Sequence, residues 1–103
     1  MDFNRPAEEL ERLVRGLNPW PSAYTFINGK TLKVWKCKVS AEETDAAPGT
    51  VFLTDKDGIH AACGQGALIL TEVQLEGKKR MDTEAFLRGY HIENGTCFTD
   101  HKG

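Results

Sequence analysis

Two strand-like runs meet at Asn28-Gly29, and that junction limits this chain more than any other feature. Tyr24–Ile27 and Thr31–Ser40 are rich in β-branched, aromatic and alternating residues. Asn28 and Gly29 between them tolerate positive φ, as both central positions of a type I′ hairpin require. The hairpin lies inside GLNPWPSAYTFINGKTLKVWKCKV, residues Gly16 to Val39, which holds both tryptophans and two of the four prolines. On the return strand, Lys33, Trp35, Cys37 and Val39 share one face, and Leu32, Val34, Lys36 and Lys38 share the other. This alternation predicts Trp35, Cys37 and Val39 inside and Lys36 and Lys38 in water. Lys33 is expected near a barrel rim, its stem running along the surface.

Upstream, Ala7, Leu10, Leu13, Val14 and Leu17 recur at helical spacing and form one apolar stripe. A helix over residues 5–16 follows, with Asn4 as its N-cap, Pro6 in the first turn and Gly16 as the C-cap. Asn18-Pro19-Trp20-Pro21 reads as a stiff linker, because each proline lacks an N–H and extends the residue before it. Trp20 is expected to wedge the helix against the sheet.

Downstream, residues 41–48 form a polar loop, and Thr50–Thr54 a strand that turns at Asp57-Gly58 into Ile59–Cys63. Gly64-Gln65-Gly66 turns again into Ala67–Leu75, the longest clean strand. Gly77-Lys78-Lys79-Arg80-Met81 is the densest basic run. Asp82 is expected to cap a short helix to Arg88. Asn94-Gly95 marks a turn, and Thr96–Thr99 a last edge strand. Short strands joined by tight turns point to a closed or nearly closed antiparallel barrel. The 103 residues suit a single domain, 1–103.

Thirteen Lys and Arg against fifteen Asp and Glu give a formal charge of −2. Any contact with nucleic acid must therefore rest on a local patch. Cys37, Cys63 and Cys97 are an odd, widely spaced set, which argues against a disulfide framework and a cysteine zinc site and for reduced thiols in a cytoplasmic protein. MDFNRPAEEL has no apolar run behind a basic segment, so it reads as no signal peptide. No window approaches the roughly 20 apolar residues of a membrane span, so no membrane partner is expected. No HExxH, P-loop, GxSxG or dinucleotide fingerprint is present. Spacing leaves open a meeting of His60 with a cysteine, although no catalytic-cysteine signature surrounds any of the three. Catalytic, cofactor and metal residues are all expected to be absent.

Positive charge gathers in two places: Lys30, Lys33, Lys36 and Lys38 on one hairpin, and Lys78, Lys79 and Arg80 on one loop. They are either two solvated faces or one phosphate-facing patch of the kind small Greek-key barrels carry.

Three segments, in order, resemble the carboxy-terminal domain of methionyl-tRNA formyltransferases: RGLNPWPSAYTFINGKTLKVWK, APGTVFLTDKDGIHAACGQGALILTEVQLEGKKRM and AFLRGYHIENG. The resemblance runs from Phe3 to Gly95. It is most specific at Asn18–Pro21, Lys33–Lys36, Pro48–Thr50 and Gln74–Met81. It implies an open Greek-key β-barrel similar to an OB fold, with an amino-terminal helix and a short helix near the carboxy terminus. It also implies a Rossmann-like catalytic domain, absent from this chain, that moves a formyl group from 10-formyltetrahydrofolate to methionyl initiator tRNA. The catalytic residues and folate pocket would belong to that domain. The role implied for this chain is tRNA docking through Lys33, Lys36, Lys38, Lys78, Lys79 and Arg80, with Lys30 and Arg15 as weaker contributors. Lysines of this kind position phosphates without reading bases. The implied partners are initiator methionyl-tRNA and the catalytic domain. The net acidity departs from the family pattern, so Glu8, Glu9, Glu11, Glu42, Glu43 and Asp45 would have to face away from the tRNA. A second reading is a structural barrel bracing the catalytic domain of a related formyltransferase with another substrate, whose members are expected to lack NPWP and GKKRM together.

Overall fold

Helix α1 spans Ala7–Leu17, with Glu8 and Glu9 at its positive end and Arg15 in its last turn. Ala7, Leu10 and Val14 are buried and Leu17 packs on the core, as the stripe requires, but Leu13, expected on the same stripe, is 39% exposed at its margin. Asn4 does not cap this helix, because its backbone and side-chain N–H groups both donate to Asp2 Oδ1 at 3.0 Å. The Pro6 carbonyl instead accepts from Leu10, and the Ala7 N–H donates to the Gln65 carbonyl at 2.9 Å. The turn between two later strands thus satisfies one of the helix's orphan donors. Gly64 in that turn lies so close to the amino-terminal segment that a Cβ there would stand 1.8 Å from the Asn4 carbonyl oxygen. Gly16 lies within α1 and is not its C-cap.

The computed structural model describes residues 1–17, 23–42 and 44–99. The Asn18–Pro21 linker, the Trp20 wedge and Glu43 lie outside them.

The described residues form six strands: β1 Ala23–Ile27, β2 Lys30–Ser40, β3 Val51–Asp55, β4 Gly58–Ala62, β5 Ala67–Leu75 and β6 Met81–Asp82. Asn28 at φ 50° and Gly29 at φ 77° make the β1–β2 turn, closing a hairpin with Ile27 opposite Lys30. The sheet is antiparallel in the order β1-β2-β5-β4-β3, with β6 also on β5. Helix α2, Thr83–Gly89, follows β6, and Asp82 caps it as expected by accepting from the Ala85 N–H at 2.8 Å.

The expected barrel is found as a sheet not closed on itself. Thr96–Thr99 forms isolated bridges and no continuous strand. Phe26 and Thr99 exchange backbone hydrogen bonds at 3.0–3.1 Å, while Val51 donates to Thr96 and Phe98 to Gly49 at 2.7 and 2.8 Å. One short segment therefore touches both outer strands. It is too short to pair along either.

Strand β2 corrects the predicted faces. Leu32 and Val34 are fully buried, Trp35 is only partly covered, and Val39 is 41% exposed. Cys37 does pack against the core, and Lys36 and Lys38 are exposed. The cause is a pair of offsetting bulges: the register runs Val34 with Val73, Lys36 with Glu72 and Cys37 with Leu70. Trp35 is extra on β2 and Thr71 extra on β5. One extra residue flips every later side chain to the other face, so Val34 and Cys37 both point inward. The same switch appears on β5, where Leu68 and Leu70 and then Val73 and Leu75 are buried. The Thr83 hydroxyl donates to the Thr71 carbonyl at 3.3 Å, seating the start of α2 on the bulge.

Candidate nucleic-acid interface

The two basic groups meet at β5. Along one edge β5 pairs with β2, and along the other with β4 and then β6. Val73 faces Val34 on one side and Met81 on the other, while Gln74 faces Lys33. Arg80, just before Met81, is thereby brought across β5 from the lysines of β2.

Trp35 is where they join. Lys33 Nζ lies 4.7 Å and the Arg80 guanidinium carbon 4.1 Å from the ring centroid. Each such contact contributes about 0.5–1 kcal/mol at an exposed site. The Trp35 indole N–H donates to Gln74 Oε1 at 3.1 Å, and Gln74 Nε2 donates to the Lys78 carbonyl at 3.1 Å. Gln74 therefore ties the tryptophan to the basic turn.

A carboxylate sits inside this group. Glu72 forms ion pairs with Arg80 and, at 3.7 Å, with Lys36. Lys33, Lys36 and Arg80 thus share one neighbourhood, with Lys78 joined through its backbone. Lys79 is exposed on the same turn. Lys38 lies beyond the bulges, opposite Ile69, and extends the charge along β2. Neither Trp35 as a hub nor Glu72 as a built-in anion was anticipated from sequence, because the alternation placed Trp35 in the core. The only available signal was the Lys-x-Trp spacing on one strand face.

His60 is the other site that sequence reasoning missed. It is 3% exposed on β4. Its Nδ1 lies 2.7 Å from Glu42 Oε2 and its Nε2 2.9 Å from Asp55 Oδ1. Burial alone would push the imidazole down, but the hydrogen bonds and charges of Glu42 and Asp55 outweigh it and hold His60 above its ordinary value. Asp55 is held below the usual carboxylate range: burial pushes it up, and the bonds from His60 and the Asp57 and Gly58 N–H groups more than reverse that. The Cys63 thiol faces the Ala61 carbonyl at 3.8 Å, so the contacts of His60 go to carboxylates and not to that sulfur. The Leu53–His60 register follows from the Asp57-Gly58 hairpin. The reach of Glu42 from the preceding loop does not.

Among the described residues, no group of three or more His, Cys, Asp or Glu is placed to hold a metal ion. No described helix is long and apolar enough to cross a membrane.

Fold and site together define a small, mainly β domain with a cationic face built around one tryptophan. The chain belongs to the formyl transferase C-terminal domain family, whose sequence model matches residues 1–91. It is 57% identical over 99 residues to a methionyl-tRNA formyltransferase of Agathobacter rectalis, covering 96% of this chain and 32% of that protein. It is 53% identical to one of Bacillus subtilis, covering 92% and 30%, and 42% identical to one of Geobacter sulfurreducens, covering 93% and 30%. The chain thus spans about a third of the length of the curated relatives it matches.

Proposed function

We propose that this chain is the non-catalytic tRNA-docking domain of a methionyl-tRNA formyltransferase acting in translation initiation in the cytoplasm. In this reading it holds initiator methionyl-tRNA by backbone contacts. A Rossmann-like catalytic domain of the same protein, which would bind 10-formyltetrahydrofolate, transfers the formyl group to the methionine amine. The fold is then an open Greek-key barrel of OB type. The segment 96–99, hydrogen-bonded to both β1 and the start of β3, supports that reading.

The observation that carries the proposal is the convergence of Lys33 and Arg80 on Trp35. It makes one cationic surface from residues on β2 and on the turn before β6. Lys36, Lys38, Lys78 and Lys79 extend that surface. Lysines and arginines of this kind neutralise phosphates and give affinity that falls steeply with salt. Double-helical RNA is recognised in this way, mostly through shape and backbone.

The test is titration of labelled initiator tRNA with this chain at low and moderate salt. Weak binding is expected, with log affinity falling linearly against log salt. Charge reversal at Lys78 and Lys79 should weaken it and leave the fold intact. Absence of binding at low salt, or binding indifferent to salt, overturns the proposal. That outcome favours a domain that only braces a catalytic partner, a reading to which the neutralisation of Lys36 and Arg80 by Glu72 lends support.

A further inference from the structure

We infer that Tyr24 is a stacking residue for an unpaired RNA base, placed beside the cations that hold the backbone. The inference rests on the docking reading and adds to it a contact with a base. On β1, Ala23, Thr25 and Ile27 point into the core, and Tyr24 points out with 49% of its surface exposed. In the β1–β2 register Tyr24 stands opposite Lys33, and Lys33 opposite Gln74. Tyr24 therefore occupies the same cross-strand row as one of the two cations on Trp35.

Phe26, two residues along on the same face, meets the Tyr24 ring edge-to-face, with centroids 5.6 Å apart and planes at 79°. That contact braces one side of the phenol ring. Trp35 is differently placed. Its ring already carries Lys33 and Arg80, and its N–H is bound by Gln74. Trp35 thus organises charge, while Tyr24 offers an aromatic surface beside it. An aromatic ring next to a cation on a sheet face is the arrangement that takes single-stranded bases without strong sequence preference. Bases inside a duplex are already stacked on one another, so the ligand is an unpaired nucleotide in a loop, bulge or end.

The experiment compares two labelled RNA hairpins with the same stem and the same number of loop phosphates. One loop carries its bases and the other is abasic. The chain is expected to bind the base-bearing loop about tenfold more tightly. Tyr24→Leu should reduce that affinity to the abasic level without changing the salt slope or the unfolding midpoint. Tyr24→Phe should keep the preference, because stacking needs the ring and not the hydroxyl. Equal salt-dependent binding of both hairpins by the unaltered chain, or a preference that survives Tyr24→Leu, overturns the stacking role and leaves tRNA docking standing. Failure of both hairpins and of intact tRNA to bind at low salt overturns the two together.

Discussion

The guanidinium of Arg80 sits 4.1 Å from the centroid of the Trp35 ring, although the two residues approach from opposite edges of β5. This contact turns two basic segments into one surface. It depends on Leu32 and Val34 pointing into the core, which turns the next residue, Trp35, outward and leaves its indole only partly covered. It also depends on β6 taking up the edge of β5 that β4 leaves free beyond Leu70.

Replacing Trp35 should therefore cost binding more than stability. Trp35→Leu removes the ring that holds Lys33 and Arg80 together and the N–H that anchors Gln74. Affinity for tRNA is expected to fall about tenfold, with a stability loss of about 1–2 kcal/mol for a half-buried aromatic on a sheet face. Trp35→Phe keeps a ring for the cations and should recover most of the affinity. Titration with tRNA and urea unfolding of the same samples separate the two effects.

Glu72 should act in the opposite sense. Its carboxylate competes with any phosphate for Lys36 and Arg80. Glu72→Gln is expected to raise tRNA affinity by about threefold and to steepen the salt dependence, because two more cations become available to the RNA backbone. Stability should change by no more than about 1 kcal/mol, as is usual for ion pairs near the surface. An unchanged salt slope would mean that neither Lys36 nor Arg80 meets the RNA.

The elements that sequence made legible are those set by local chemistry. Asn28-Gly29 fixed one hairpin, Asp82 one helix cap, and the Ala7–Leu17 stripe one buried helix face. Each is decided within a few residues. The Asn4 cap failed because Pro6 and the distant Gln65 carbonyl took over that role. The inner face of β2 failed because paired bulges arise between two strands and leave no period in either one. The basic residues themselves were readable, but their meeting point was not. It depends on which edge of β5 each neighbour takes, and that is a property of the sheet order. The pairing of His60 with Glu42 needed a loop to fold back over β4, for which local sequence carries no signal.

The cysteines should differ sharply in reactivity. Burial pushes the Cys37 thiol up to about 12, with the Glu11 charge adding to it, and pushes Cys63 up to about 11. Cys97 is exposed on the segment joining the two outer strands. Alkylation at mildly alkaline pH, read by mass spectrometry, should modify Cys97 first and leave Cys37 and Cys63 protonated and unreactive until the chain unfolds. Labelling of Cys37 at the rate of Cys97 in the folded chain would contradict its burial.

His60 should make stability depend on pH from the alkaline side. Its imidazole is held above the ordinary 6.5 against the penalty of burial, so the folded chain keeps a proton that the unfolded chain has lost. This contribution is fully present below 6.5 and disappears as pH rises through the raised folded value. Asp55 behaves conversely. It is held below 3.8, so its contribution is present above 3.8 and is lost as pH falls through its lower folded value. Between these limits the imidazolium clamps the loop at Glu42 to the β3–β4 hairpin at Asp55. His60→Gln is expected to cost about 1–2 kcal/mol near neutral pH, because the half-exposed Glu42 and Asp55 lose their hydrogen bonds to a charged imidazole while water screens what is left. The penalty should shrink as pH rises from neutral through the raised folded value, where the native imidazole loses its proton. Urea unfolding of both chains across that range provides the measurement, and a penalty that stays constant with pH would mean that His60 is neutral in the fold.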